Sequence, residues 1–153
     1  EDTNFMLSAL NAYGVLEDDS TKRWAKAFLI APAIRVIFEL SLLALDKSCI
    51  EIHLPNIGVS AKHKENVSYV HSLFKNNKFQ DYLQAGRIVF DTYQEAHNVI
   101  GNTDFGESVE YSSLGSHKSM KDYDIDTIMR LSNDAVLFAM LCQQYVQFKK
   151  QGV

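Results

Sequence analysis

The chain has 153 residues, of which 46% are hydrophobic and 22% charged, and a formal net charge of −4. Seven glycines and two prolines supply few tight turns, which excludes a fold of many short strands and favours a few long helices. Because no run of lysine or arginine is longer than two, DNA binding through bulk charge is also disfavoured. We expect one globular domain that covers residues 1–153.

Two helices are predicted in the N-terminal third of the chain. Residues 2–13 carry apolar side chains at helical spacing, and a second helix follows over residues 20–45. The second helix is apolar all round, as is typical of a helix surrounded by others, and Pro32 should bend it. A membrane span is disfavoured because Arg35 and Glu39 lie near its centre. We therefore expect the central helix of a bundle and no membrane partner.

The middle of the chain is predicted as a connector, two helices and a loop. Residues 48–60 form an extended connector or a short strand pair, and residues 60–75 form the third helix. The fourth helix has the clearest apolar stripe and covers residues 79–100, with Gly86 inside it. Residues 102–121 lack periodicity and are predicted as a long polar loop, a feature that is usually functional in compact domains.

The last predicted helix begins near Asp124 or Asp126 and ends near Lys149. Its two apolar faces indicate that it packs on two neighbours, or on one neighbour and a partner copy. The predicted fold is all-α, an up-and-down bundle of about five helices with one long polar loop before the last helix. We expect a homodimer or a complex with another protein, formed through the last or the fourth helix.

Cysteines and histidines offer little metal or redox chemistry. Cys49 and Cys142 are far apart and lack metal-ligand spacing, so we expect reduced thiols of a cytoplasmic protein, with one disulfide as the alternative. His63 and His71 share a helix face but are eight residues apart, which is too far to chelate one ion. The sequence therefore predicts no metal and no cofactor.

Four residues are candidates for catalysis or binding. Arg35 and Glu39 are four residues apart, where they can neutralise each other and bind polar groups of the fourth and fifth helices. His97 lies on the apolar stripe before the polar loop, and His117 lies at the far end of that loop. Two interpretations stand. Either the pair and a core His97 are structural, or they line a polar cleft with Tyr93 that binds phosphate or RNA.

The central helix also resembles a known superfamily. The stretch 33–43, with Arg35 and Glu39, is similar to the RxxxE helix of the HEPN helical-bundle group, and the apolar run from Ala27 resembles the mannitol operon repressor family. The similarity extends over residues 22–149 in the order of a helix ending in a histidine, a polar loop and a long last helix. It implies an all-α bundle.

The resemblance further implies ribonuclease activity in active members, which are metal-independent and use an arginine and a histidine a few residues apart. This sequence departs from that pattern. Thr92 stands five residues before His97, and Tyr111 stands six before His117. Arg87 is too far from His97 to be the motif arginine. The resemblance therefore implies a degenerate nuclease site.

We therefore expect a non-catalytic, HEPN-like interaction or regulatory module of a bacterial cytoplasm, linked to defence, toxin–antitoxin systems or transcriptional control. Two alternatives stand beside it. One is a metal-independent ribonuclease, with RNA as its partner, in which Arg35, Glu39 and His97 replace the usual motif. The other is a small-molecule sensor with its pocket among Tyr93, His97 and the central helix.

Overall fold

The computed structural model describes residues 20–49, 51–86, 89–112 and 125–152, and within them the chain is all-α with no strand. The predicted helical bundle is confirmed, with six α-helices in the described residues where about five were expected. The helices are α1 (Ser20–Ser48), α2 (His63–Phe74), α3 (Asn77–Ala85), α4 (Tyr93–Asn102), α5 (Phe105–Tyr111) and α6 (Ile125–Lys150). The helix predicted over residues 2–13 lies outside the described residues.

The long helices α1 and α6 form the most extensive pair in the fold. The short helix α5 packs on α2 and α6, whereas α3 and α4 pack mainly on each other. Phenylalanine rings join these layers. The ring of Phe138 on α6 lies 5.1 Å from that of Phe38 and 5.7 Å from that of Phe74, centroid to centroid. Burial of such rings holds α1, α2 and α6 around one core.

Helix α1 continues through Pro32 and ends at Ser48. Ile34, Phe38 and Leu42 of this helix are fully buried. None of the helices in the described residues is long and apolar enough to cross a membrane. The prediction of a central helix packed among others is thus confirmed for the described part of α1.

The connector after α1 contains turns and bends but no strand in its described residues, which excludes the predicted strand pair there. This irregular segment contributes three buried side chains to the core, those of Ile52, Leu54 and Ile57. The backbone N–H of Leu54 donates to the Oδ1 atom of Asp46 at 2.9 Å and ties the connector to the end of α1. Alternating apolar residues here fill the core without a sheet. A 3-10 turn at Ser60–Lys62 then leads into α2.

The single fourth helix predicted over residues 79–100 is wrong, because the chain forms two helices there. Helix α3 ends at Ala85 with Gly86 as its C-cap, so Gly86 is not inside a helix. Val89 adopts a left-handed φ of 70°, which interrupts a helix. The Oγ1 atom of Thr92 then accepts from the Glu95 backbone N–H at 3.1 Å and begins α4.

The long polar loop predicted over residues 102–121 is also wrong in part, since residues 105–111 form α5. The side chain of Asp104 caps this helix by accepting from the Glu107 backbone N–H at 2.9 Å. Phe105 and Val109 are buried against the core. A helix of two turns is too short to show a helical period among polar residues. Residues 113–121 lie outside the described residues.

Candidate functional site

Arg35 and Glu39 do not form the buried pair that the sequence predicted. Both residues are half-buried on α1, and no ion pair joins them among the described residues. The Oε2 atom of Glu39 lies instead 4.0 Å from the Nε2 atom of His63 on α2. The predicted tie to the fourth and fifth helices is therefore corrected to a contact with α2. Both side chains are partly accessible to water, so they can stay charged without pairing with each other.

His63 is buried on α2, where the sequence pattern had indicated only a histidine too far from His71 to share a metal ion. Its Nε2 atom lies 2.8 Å from the carbonyl oxygen of Ile57, so Nε2–H donates there. Its Nδ1 atom has no hydrogen-bond partner within the described part of the chain. The ring thus fastens the connector to α2. Since Nε2 is used by Ile57 and Nδ1 is shut away from water, this histidine is placed for structure.

His97 is exposed, which corrects the prediction of a core histidine. The separate start of α4 sets a new helical phase, in which Ala96 and Ile100 face the core and His97 faces outward. The expected hydrogen bond to a neighbouring helix does exist. The Nδ1 atom of His97 lies 3.1 Å from the Oε1 atom of Gln80 on α3.

Gln80 fixes which nitrogen of His97 carries hydrogen. Its side chain is 1% exposed, and its Nε2 amide donates to the carbonyl oxygen of Phe74 at 3.3 Å. That bond orients the amide, so its oxygen faces His97 and can only accept. The Nδ1–H of His97 therefore donates to Gln80. In the neutral ring, the Nε2 atom then carries the lone pair.

The two sides of the His97 ring along α4 differ. One turn before it, the ring of Tyr93 stacks at a centroid distance of 5.9 Å and an interplanar angle of 18°. One turn after it stands Gly101, where an added Cβ would meet nothing within 4 Å. Helical side chains lean back over the preceding turn, so a side chain at position 101 would lean towards His97. Gly101 therefore places no side chain of its own over His97.

The outward face of α4 carries little charge. Exposed positions on this helix are Gln94, Glu95, His97, Asn98, Gly101 and Asn102. The charged member, Glu95, accepts from the Asp91 backbone N–H at 3.2 Å and so ties the start of α4 to the residue before its N-cap. Solvent-facing sides of surface helices are normally charged, whereas protein interfaces are depleted of charge and enriched in aromatic residues. This face shares the low charge of interfaces, and its exposed side chains are mainly amides.

A polar cleft of about 420 Å³ lies at the end of α4. Its lining residues are His71, Lys75, Gly101, Asn102, Thr103 and Asp104. The Nε2 atom of His71 lies 2.6 Å from the carbonyl oxygen of Ile100. Burial of the ring lowers the pKa of His71 and outweighs this hydrogen bond, which acts in the opposite direction. Lys75 is thus the cationic side chain of the cleft at neutral pH.

The remaining predicted candidates add nothing to this surface. His117 lies outside the described residues, so its convergence with His97 stays a prediction. Among the described residues no group of three or more His, Cys, Asp or Glu side chains could hold a metal ion. Cys49 and Cys142 are free and buried.

Sequence reasoning missed Gln80 and Lys75, weighed His71 only as a metal ligand, and did not predict Asp104 as a helix cap. Asp104 had a usable signal, because an aspartate three residues before Glu107 is a helix-start signature. Gln80 had none, since its bond to His97 spans seventeen positions and two helices. Lys75 and His71 are brought to Gly101 by the packing of the bundle alone.

The structure thus brings His97 together with Gln80, Tyr93 and Gly101, one turn from a polar cleft. It brings Glu39 to His63, and it leaves Arg35 apart from His97 on a helix whose main neighbour is α6. Comparisons with protein-family models, with curated proteins and with solved structures find no match for this chain.

Proposed function

We propose that this chain is a non-catalytic regulatory or interaction module, HEPN-like in its helical arrangement, that binds a protein partner or a second copy through α4. A bacterial cytoplasmic setting belongs to the same proposal. The observation that carries it is the outward face of α4. That face presents amides, a stacked Tyr93–His97 pair and one carboxylate in place of the charges of an ordinary solvated helix.

The packing of α4 supports this interpretation. Among the described helices α4 packs mainly on α3, and six of its ten residues are exposed. The side chains of Gln94 and Asn98 hold each other at 2.9 Å and form a flat amide surface beside His97. Because such groups are already ordered, binding loses less side-chain entropy.

Site-specific cross-linking tests the proposal. A photo-activatable side chain replaces Asn98 in the full chain, and the matched control carries it at Gln143 on the exposed side of α6. The purified protein reports self-association as a product of twice 17.3 kDa. A cell extract reports a partner as a larger adduct of defined mass. We expect adducts at position 98 that disappear when Gln94→Glu adds a charge to the face.

Adducts of equal yield at positions 98 and 143 would contradict the proposal, because they would reflect random collision. Absence of any adduct at position 98 in both settings would contradict it as well.

A ribonuclease is the second candidate, and the orientation of His97 favours it. An exposed imidazole with one nitrogen held by a buried amide is able to accept a proton at the other. The test is incubation with total RNA of wild type, His97→Ala and the control His53→Ala, since His53 is also exposed. Cleavage that only His97→Ala abolishes would support an enzyme. No cleavage by the wild type at high protein concentration would remove this candidate.

A further inference from the structure

We propose that the Nε2 atom of His97 is a phosphoryl-acceptor site, modified by an acyl phosphate. The inference deepens the proposed function, on which it rests, because it names a chemical signal that would regulate the α4 surface. The acyl phosphate is either a free small molecule or an aspartyl phosphate on a partner protein. Both are mixed anhydrides and share the same reacting group.

The hydrogen bond of His97 determines which of its ring nitrogens is the nucleophile. A neutral imidazole attacks through its unprotonated nitrogen, and which nitrogen that is depends on the hydrogen bond of the other. Here Nδ1–H donates to Gln80, whose amide is itself fixed by the Phe74 carbonyl. The lone pair is therefore held on Nε2. A buried glutamine used in this way makes Gln80 a positioning residue for His97.

The surroundings of His97 also bear on whether a phosphoryl group fits there. A tetrahedral phosphoryl group on Nε2 needs room beyond the ring edge, and His97 is an exposed residue whose ring stacks on that of Tyr93. Gly101 withholds the side chain that would lean over the ring from the next turn.

The charged groups near α4 bear on whether a phosphoryl group would be stabilised there. A phosphoryl group brings two negative charges at most and three acceptor oxygens. The cleft that Gly101 lines also contains Lys75, which is exposed and forms no ion pair among the described residues. The amide of Asn102 and the carboxylate of Asp104 line the same cleft, and Asp104 is engaged by the Glu107 backbone N–H as the cap of α5. Lys75 and Asn102 thus provide a cation and a neutral donor beside the modified turn of α4.

The reaction balances within these components. The Nε2 lone pair forms a bond to phosphorus, the phosphorus–oxygen bond of the anhydride breaks, and the carboxylate leaves with that electron pair. Nδ1 keeps its hydrogen towards Gln80, so the imidazole ring gains one positive charge next to the phosphoryl oxygens. No oxidant, metal or further reactant is required.

The test is phosphoryl labelling of the full chain. One arm uses acetyl phosphate, and a second uses a carrier protein with a phosphorylated aspartate, freed of the small donor. Mass spectrometry under alkaline conditions, where phosphohistidine survives, locates the group. His53 is the internal control, since it is exposed and has no hydrogen-bond partner among the described residues. We expect labelling at His97 and not at His53, and the productive arm identifies the source.

Variants test the two structural causes. Gln80→Met should slow labelling about tenfold, the lower end of what loss of an orienting partner costs. Gly101→Gln should slow it by covering the ring, whereas Gly101→Ala should fold at least as well as wild type because its Cβ meets nothing. If Gln80→Met fails to fold, the comparison of Gly101→Gln with Gly101→Ala still tests the assignment. Labelling that none of these substitutions changes would overturn the assignment.

No label on His97 in either arm would overturn the inference, as would equal labelling of His53. The proposed function fails separately. Cross-linking at position 98 without labelling would keep the interaction module and remove the phosphoryl site. Labelling without cross-linking would keep the phosphoryl site and remove the interaction module.

Discussion

The exposed ring of His97 hydrogen-bonds through Nδ1 to the buried amide oxygen of Gln80 at 3.1 Å. This bond crosses from α4 to α3 and continues through the Gln80 amide nitrogen to the Phe74 carbonyl. A surface side chain is thereby anchored on the core of the bundle. The arrangement has a stability consequence as well as a chemical one.

Replacing Gln80 by methionine should destabilise the fold. The substitution keeps the volume but leaves the Phe74 carbonyl and His97 without their shared partner, at a cost of about 1–3 kcal/mol in the free energy of unfolding. Urea denaturation measures the change. Gln84→Met is the matched control because Gln84 is exposed on the same helix. Equal stability of the two variants would contradict the role given to Gln80.

Asp134 on α6 should make stability depend on pH. Its Oδ2 atom accepts from the Ser108 hydroxyl at 2.5 Å. Burial raises the pKa of Asp134 above 3.8, and the Ser108 hydrogen bond and Arg130 only partly offset it. Folding therefore favours the protonated carboxyl. This contribution is present below the unfolded-state pKa and is lost as pH rises through the folded one.

Asp134→Asn removes this titration and keeps an oxygen for Ser108. The stability of the variant minus that of wild type should therefore be larger at pH 7 than at pH 4, by urea unfolding at both values. Other groups titrate alike in the two proteins and cancel in the difference. A variant that loses stability relative to wild type on going from pH 4 to pH 7 would be inconsistent with a raised pKa.

Arg35→Met should have a small effect. A buried arginine torn from its partner would cost about 3–5 kcal/mol, but Arg35 is half-buried and has no ion pair to Glu39 among the described residues. We expect a loss below about 1 kcal/mol in the free energy of unfolding, as for other solvated charges. Glu39→Gln is the companion variant. A loss above about 3 kcal/mol for Arg35→Met would restore the buried pair.

The two cysteines should react slowly in the native state. Burial raises the pKa of both Cys49 and Cys142, so little thiolate is present and access is poor. A thiol-exchange reagent should react with both cysteines only under denaturing conditions. Asn98→Cys, at an exposed position, supplies a fast-reacting control. Rapid reaction of Cys49 or Cys142 in the native wild-type protein would contradict this prediction, because it would show that the thiol is accessible.

Much of the fold follows from the sequence. The breadth of the apolar surface predicts α1, and its two apolar faces predict α6, because these helices pack on several others. The division between α3 and α4 did not follow. In the sequence, Val89 and Phe90 continue the apolar stripe as if one helix ran on. In the structure they lie between the two helices, and Phe90 is still buried in the core. The overlooked signal was Thr92 followed three residues later by Glu95, a capping-box pattern.

The candidate site followed from the sequence only in part. His97 was identified for its place before a polar segment, but its exposure depends on the phase that the Thr92 cap sets for α4. Arg35 and Glu39 were identified for their charge on an apolar helix, and solvent reaches both. Gln80 and Lys75 come to α4 through tertiary packing, which no local pattern encodes.

The most direct test of the account is the tautomer of His97 in the full chain. Long-range proton–nitrogen NMR spectra distinguish a protonated ring nitrogen from an unprotonated one in the neutral imidazole. In its neutral form, His97 should show protonated Nδ1 and unprotonated Nε2, and Gln80→Met should abolish that preference. A wild-type His97 with hydrogen on Nε2, or with the same averaged signals as His53, would contradict the account.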